Sequence, residues 1–448
     1  MKKTVTILIF ILSGFKSFSQ LQPTTGQTYN FSVADCIKYA DEHQSTVVNA
    51  NLDIKSAEYR VKETIGIGLP QISGQATFTD YLKLPTTLLP GEFIGQPGTF
   101  IPVKFGVNYN SNLALNASQI LFSGSYLVGL KAAKTYKELS NRNYTRSKIE
   151  VDVNVTKAYY QVLVSNEQIR LLDANINQLK QQVDQTTAQN KQGFVEKIDV
   201  DRITVQYNNL ITTRENTLRL LALNYQLLKF QMGMPIEYNL TLVDKLSDVG
   251  LDNNVVSYTT DTTFYQNRIE YGLQETQKNL NALDVRNRIA QYYPSLTANG
   301  SVASAYQNNA FGQLYNSYFP SSYVGLTLNV PIFNGLQRLY QVKQAKITYL
   351  KSQNDLINLK NSLNLQASQA SVNYTNGLQT LNNQKKSQEL AREVLRVSKI
   401  KYQQGVGSSI EVTQAQTELE NADNQYIQGL YDALVSKVDL NRAYGRIK

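Results

Sequence analysis

Asp199 and Glu411 stand 212 positions apart, each six residues after a glycine, Gly193 and Gly405. A carboxylate just beyond a glycine turn falls in the first turn of the following helix, where it favours the helix dipole by ~0.3–1 kcal/mol. With several copies around a narrow axis, the same carboxylates would also draw cations into the space between them. Neither arrangement is catalytic. One histidine, His43, and one cysteine, Cys36, leave no nucleophile–base pair and no metal-ligand cluster. Nucleophile-elbow, phosphate-loop and dinucleotide fingerprints are also missing. Cys36 alone excludes an internal disulfide and reads as a small buried apolar residue on the first helix. His43 reads as a surface or packing residue on that helix. The expectation is a non-enzyme with no cofactor and no metal.

The elements that hold the two acids are unusually long. Residues 336 to 402 run without proline to the turn Tyr402-Gln403-Gln404-Gly405-Val406-Gly407, and helix restarts at Ser408-Ser409-Ile410-Glu411. Steps of four and three back from Tyr402 reach Ser398, Leu395, Ala391, Gln388, Gln384, Leu381, Gly377, Tyr374, Ala370 and Ala367. That 3.5-residue repeat belongs to a helix wrapped on a partner helix. At about 1.5 Å per residue the rod is on the order of 100 Å long, deeper than an ordinary core.

The seam Val155, Ala158, Val162, Ser165, Ile169, Leu172, Ile176, Leu179, Val183, Thr186 and Asn190 matches the second on adding 212. Gly193 then answers to Gly405, Asn209 to Asn421 and Gly233 to Gly445, which makes the chain an internal repeat. One residue off that register, Leu121-Phe122-Ser123-Gly124 answers to Ile332-Phe333-Asn334-Gly335.

Composition points away from a string of ordinary domains. The 448 residues include no Trp and only 18% charged residues, with Asn, Gln, Ser, Thr and 29 Tyr in excess. Uncharged polar residues suit a wall wetted on one side. Lys2-Lys3, the apolar run Val5 to Leu12, and Ser17-Phe18-Ser19 before Gln20 read as a signal peptide over 1–19. Its removal takes three lysines and no acids, lowering the net charge from +9 to +6. No Lys/Arg patch argues for nucleic acid.

In chain order, 20–234 form the first unit: a helix over about 32–65 capped by Ser32, strands over about 71–84 and 104–122, a long helix over about 124–192 and a returning helix over about 198–232. Four prolines and three glycines make 85–104 a loop. A connector follows over 235–261. The second unit, 262–448, repeats the order: a helix over 262–290, strands over about 295–307 and 321–333, a long helix over about 336–402 and a returning helix over about 409–444. Strands of this length and alternation suit a membrane wall, and Tyr81, Tyr109, Tyr292, Tyr293, Tyr306, Tyr315, Tyr318 and Tyr323 suit its interfacial girdles. Four strands cannot close a barrel with a useful interior, and open edges in lipid cost several kcal/mol per unpaired group. Protomers must share one barrel, and three copies give twelve strands.

With the duplicated architecture, the junction Val330-Pro331-Ile332-Phe333-Asn334-Gly335, and the turn Tyr402-x-x-Gly405 followed by Ile410-Glu411-Val412, the chain resembles the outer-membrane efflux protein family. These are the TolC-like channel-tunnels of Gram-negative bacteria. The resemblance covers essentially all of the chain beyond the signal. It implies an α+β membrane protein that forms a homotrimer, with a twelve-stranded barrel in the outer membrane lipid and a helical tunnel in the periplasm. It also implies docking by a periplasmic adaptor and an inner-membrane pump. The acidic positions of the periplasmic constriction then fall at Asp199 and Glu411, Gln414 replaces a frequent second acid, and Tyr402 takes the tyrosine that helps close the tip. Gly193, Gly405 and Gly407 form the turns where an adaptor docks, and Pro331, Phe333 and Gly335 mark the strand–helix junction. The arginine that some members carry two residues after the second turn glycine is replaced here by Gly407. Lys197, Arg202 and Lys401 stand as candidates for its role. The resulting expectation is a passive export duct; the alternative is a structural coiled-coil protein of the periplasm or an appendage. Cargo is not readable, because selection belongs largely to the pump.

Overall fold

The computed structural model describes residues 28–95, 97–246, 249–251 and 263–447. The expected signal peptide and much of the expected connector lie outside them.

Strand β1 (Thr28–Phe31) leads into helix α1 (Val33–His43), which starts at a capping box. The Ser32 hydroxyl accepts from the Asp35 amide at 3.3 Å while the Asp35 carboxylate accepts from the Ser32 amide at 3.0 Å. The single helix expected over 32–65 is broken. Gln44 is extended, and its side chain caps a second helix, α2 (Ser45–Ile67), by accepting from the Thr46 amide at 2.5 Å.

Strand β2 (Gln71–Asp80) is antiparallel to β5 (Tyr109–Phe122). The stretch between them, expected as loop, carries a hairpin of β3 (Thr86–Pro90) and β4 (Phe100–Lys104). Its prolines are compatible with pairing because both strands are edges, where a missing N–H faces outward.

Helix α3 (Gly124–Lys191) and the returning α4 (Lys197–Met232) form the first hairpin. The connector contains a strand, β6 (Asn239–Leu242), parallel to β1. Helix α5 spans Ile269–Ala290, shorter than expected, because 264–267 form a 3-10 turn and Arg268 is extended. The buried Arg268 guanidinium bonds the Ala443 carbonyl at 3.0 Å and both Glu270 oxygens at 2.9 Å. Strands β7 (Ser295–Asn308) and β8 (Tyr318–Asn329), helix α6 (Gln337–Gln403) and helix α7 (Ser409–Ala443) complete the chain. Strand β8 lies a few residues earlier than expected; its ladder ends at the pair Ser295–Asn329, one residue short of Val330-Pro331.

Both helix breaks face the end of a returning helix. Gly233 closes α4 at φ 69°, and a Cβ there would stand 2.7 Å from the His43 carbonyl oxygen. Gly445, just past α7 at φ 65°, would bring a Cβ to 3.0 Å from the Asn267 carbonyl. The returning helices thus stack end to end on α1–α2 and α5, and the chain kinks where the ends meet.

The four-stranded sheet has the order β2-β5-β7-β8. Residues in register share a face. Ile72, Ala117, Gly300 and Val324 form one row, flanked on the same face by Leu115 with Val302 and by Ala298 with Leu326. The opposite face carries Ser73, Asn116, Ser301 and Tyr323, then Gln75 and Ser321, then Thr77 and Asn112. One face is therefore mainly apolar and the other mainly polar, with Ala114, Ala303, Ala305 and Phe319 also on the second; Asp80, in phase with Ile72, is the one charged residue in the four strands.

Below the sheet, α1, α3 and α4 bury Cys36, Val155, Tyr159, Val162, Leu228 and Met232. Burial pushes the Cys36 thiol up to about 12, as suits an inert core residue. Tyr159 donates to Asp244 at 2.8 Å, and Asp244 also accepts from the Val33 amide at 2.9 Å, tying the connector to α1. Asp152, also buried, has an enclosed oxygen without a hydrogen-bond partner among the described residues. Its carboxyl is pushed to about 7 by burial first and then by the charge of Asp41, against the opposing Lys148 ammonium.

Gly233→Ala should lower stability by about 1–3 kcal/mol, through the positive φ and the collision with His43. Gly129→Ala, in open space on α3, should leave stability equal or raise it. Thermal melts followed by circular dichroism compare the two. Because the folded pKa of Asp152 lies above its unfolded value, its contribution is favourable at low pH and is lost as pH rises through 7. Asp152→Asn should flatten the fall in stability between about pH 4 and 7 and gain more than about 1 kcal/mol above it.

Candidate functional site

Each hairpin is zipped internally by apolar side chains. Leu172, Ile176 and Leu179 of α3 meet Ile203 and Leu210 of α4, and Leu395 of α6 meets Val412, Ala415 and Leu419 of α7. The join between hairpins changes character along its length. Near the strand-proximal end Val164 packs with Leu381, Ile427, Leu430 and Leu434, and Lys157 pairs with Asp439 at 2.6 Å. Toward the turns, hydrogen bonds run between the hairpins. Asp423 of α7, 6% exposed, accepts from Asn175 of α3 at 2.8 Å across the join, and within its own hairpin from Gln388 of α6 at 2.7 Å. Gln206 of α4 donates to the Thr413 carbonyl at 3.1 Å and to the Thr417 hydroxyl at 3.3 Å. Nearest the tip, the Ser409 hydroxyl donates to Asp199.

The two turns have the same construction. After α3, Gly193 takes φ 81° and the Phe194 amide bonds the Gln189 carbonyl at 3.0 Å. After α6, Gly405 takes φ 74° and the Val406 amide bonds the Lys401 carbonyl at 3.0 Å. This six-to-one bond around a left-handed residue satisfies the last helical carbonyls. It leaves Phe194 77% and Val406 79% exposed at the tips. Neither was singled out from the sequence as a site residue, although an apolar residue directly after both turn glycines was a readable sign.

Gly407 is glycine for another reason. Its amide bonds the Lys401 carbonyl at 3.1 Å, and a Cβ would lie 2.9 Å from the Lys401 Cβ and 3.1 Å from the Tyr402 amide nitrogen. The second turn folds back on the last turn of α6, and no arginine fits there without displacing it. Of the candidate cations, Arg202 stands 3.7 Å from Asp199.

The expected site residues are partly brought together. Asp199 is half-buried between hairpins, bonded to Ser409, and its charge acts on Tyr402. Burial first, and then Asp199, push the Tyr402 hydroxyl up, and that hydroxyl is enclosed with no hydrogen-bond partner among the described residues. Glu411 and Gln414 do not join them. Both lie exposed on α7, where Glu411 donates its amide to the capping Ser408 hydroxyl at 3.2 Å and Gln414 bonds Glu418 at 3.3 Å. Pro331, Phe333 and Gly335 sit at the far end of α6, 67 residues long and therefore ~100 Å away. Lys399 is a residue the sequence reading missed. It lines a groove of about 260 Å³ with Gln178, Gln182, Thr186 and Tyr402, and burial pushes its ammonium down to about 8.

No group of three or more metal-ligating side chains occurs among the described residues, and no described helix is long and apolar enough to cross a membrane. A sheet mainly apolar on one face and polar on the other, continued by long helical hairpins with glycine tips, has the build of a membrane-channel protein. The family model described as outer membrane efflux protein matches residues 37–221 and 272–446. The outer membrane protein TolC of Escherichia coli (strain K12) is 24% identical in an alignment of 481 positions covering 100% of this chain and 87% of that one. Among solved structures, CusC aligns with a TM-score of 0.75 at 16% identity, covering 96% of each chain. VceC of Vibrio cholerae aligns with a TM-score of 0.72 at 15% identity, covering 92% of this chain and 96% of that one. This chain belongs to the outer membrane efflux protein family. It is an outer-membrane efflux channel with its helical tunnel in the periplasm, a transport duct and not an enzyme.

Asp423→Ala should cost about 2–4 kcal/mol, because it leaves the Asn175 and Gln388 amide donors buried without an acceptor. Guanidinium unfolding followed at 222 nm reads the loss; a change under about 0.5 kcal/mol would mean that water already satisfies both amides.

Proposed function

We propose that three copies of this chain close their sheets into one twelve-stranded barrel and serve as the passive exit duct of a tripartite efflux pump or type I secretion system. The observation that carries this reading is the pair of unpaired edges, β2 and β8, on a sheet with one apolar face. In hydrocarbon each unpaired backbone group costs several kcal/mol, and pairing β8 of one copy with β2 of the next removes every edge. Three copies supply twelve strands, enough to surround an aqueous lumen lined by the polar face. The duplicated order of elements, repeating at 212 residues over the helical hairpins, accounts for two hairpins per copy and six around the tunnel.

The tip is the periplasmic gate. Asp199 and Tyr402 lie where the hairpins meet, and Glu411 and Gln414 on the exposed face of α7 supply the ring that the three copies gather around the axis. Gly193, Gly405 and Gly407 shape the turns that a periplasmic adaptor grips, and an inner-membrane pump supplies the energy. Toward the turns, polar bonding between hairpins against apolar zipping within them supports a gate that opens by parting the hairpin tips and keeping each hairpin intact.

Native mass spectrometry in detergent should give a trimer, and planar-bilayer recording should give cation-preferring conductance that falls in Asp199→Asn with Glu411→Gln. A monomer without conductance would overturn the shared barrel. Unchanged selectivity in a conducting trimer would remove the two acids from the constriction.

A further inference from the structure

The junctions from sheet to long helix differ between the two halves. In the first, β5 runs directly into α3. The Ser123 hydroxyl caps the helix by accepting from the Tyr126 amide at 3.3 Å, and the Tyr126 hydroxyl reaches back to the Ile65 carbonyl at 3.4 Å. In the second, no side chain caps α6. The chain turns through Gly335 at φ 57° and Leu336 at φ 63°, the latter the one non-glycine residue with positive φ among the described residues. A β-carbon in that conformation crowds the following carbonyl oxygen and is strained.

The consequence of the strained turn is exposure. Val324, Leu326 and Leu328 form an outward stripe on the apolar face of β8, and the alternation continues past the end of the ladder through Val330 to Ile332. Ile332 is 95% exposed and Phe333 beside it 77% exposed. Just beyond, Arg338 holds its guanidinium 6.0 Å from the Tyr292 ring and has no carboxylate partner among the described residues. Apolar side chains, an aromatic ring and then an unpaired cation follow in the order in which a bilayer passes from acyl chain to interface to phosphate.

We propose that this junction is a phospholipid site, in which Ile332 and Phe333 insert among the acyl chains of the periplasmic leaflet and Arg338 binds a headgroup phosphate. The proposal rests on the barrel reading above, which makes the apolar face of β8 lipid-facing. The continuity of that face with Ile332 selects lipid as the occupant, and the planar guanidinium suits a phosphate better than a point charge does. The left-handed turn at Leu336 holds the apolar pair outward, where a regular cap like that of Ser123 would start the helix sooner.

The chain contains no Trp, so a single substitution gives an unambiguous emission signal. Leu326→Trp, Phe333→Trp and Phe194→Trp are compared as trimers in vesicles of phosphatidylethanolamine and phosphatidylglycerol brominated on the acyl chains near the headgroup. The first two should lose most of their emission and be blue-shifted, and the tip variant should remain unquenched. Quenching at Leu326→Trp without quenching at Phe333→Trp would overturn the lipid site and leave the barrel standing, whereas no quenching at Leu326→Trp would overturn the barrel reading itself. For the phosphate, phospholipid phosphorus retained per trimer after detergent exchange should fall in Arg338→Gln and be largely restored in Arg338→Lys. Equal retention in all three proteins, or release of the lipid by inorganic phosphate alone, would overturn the headgroup assignment.

Discussion

A strand edge inside hydrocarbon has no water to fall back on, and this chain presents two of them. Strands β2 and β8 bound a sheet that is apolar on one face, so the unit is incomplete in the membrane that the apolar face demands. The proposed sharing of one barrel among copies answers that incompleteness. Copies that share a barrel must bring their helices around a common axis, and helices on a common axis need lengths and contacts that keep the wall closed beneath the sheet. The 68-residue α3 and 67-residue α6 span that wall, and the shorter helices stack end to end against them.

The choice of side chain at each helix contact separates what must stay together from what must be able to part. Leucines and isoleucines zip α3 to α4, and a leucine-valine-alanine set zips α6 to α7. Between hairpins the contact passes from apolar packing at Leu430 and Leu434 to the amide–carboxylate bond of Asn175 with Asp423 and to a hydroxyl–carboxylate bond at Asp199. An apolar seam loses free energy in proportion to every area exposed, whereas a hydrogen bond exchanged for one to water loses little. The gradient concentrates the ease of separation at the tip.

Periodicity made the helices legible because it is a repeated signal: some seventy residues of heptad spacing, matched at a distance of 212, leave few alternatives. The family followed from the order of elements, which single motifs such as Tyr402-x-x-Gly405 would not have carried. What escaped the sequence was local and depended on distant partners. The break at Gln44 exists because Gly233 abuts His43, and the two are nearly two hundred residues apart. Four prolines made 85–104 read as loop, although an isolated pair of edge strands tolerates them. At the site, the meeting of Asp199 with Ser409 depends on the packing of two hairpins, and the exposure of Glu411 and Gln414 depends on which side of α7 faces its neighbours. Lys399 gave no sign at all, since burial of a lysine stem against glutamines has no pattern along the chain.

The polar face of the sheet is built mainly from Ser, Asn, Gln and Thr, with alanines, Phe319 and Tyr323 among them, and the four strands carry a single charge, at Asp80. A conduit that held its traffic firmly would be plugged by it. Amides and hydroxyls offer every passing solute a hydrogen bond about as good as the one water offers, so each contact is brief and no station along the wall becomes a trap. If this face lines the lumen as proposed, throughput is set by width and by the opening of the tip, and one wall can carry chemically unrelated passengers at similar speed.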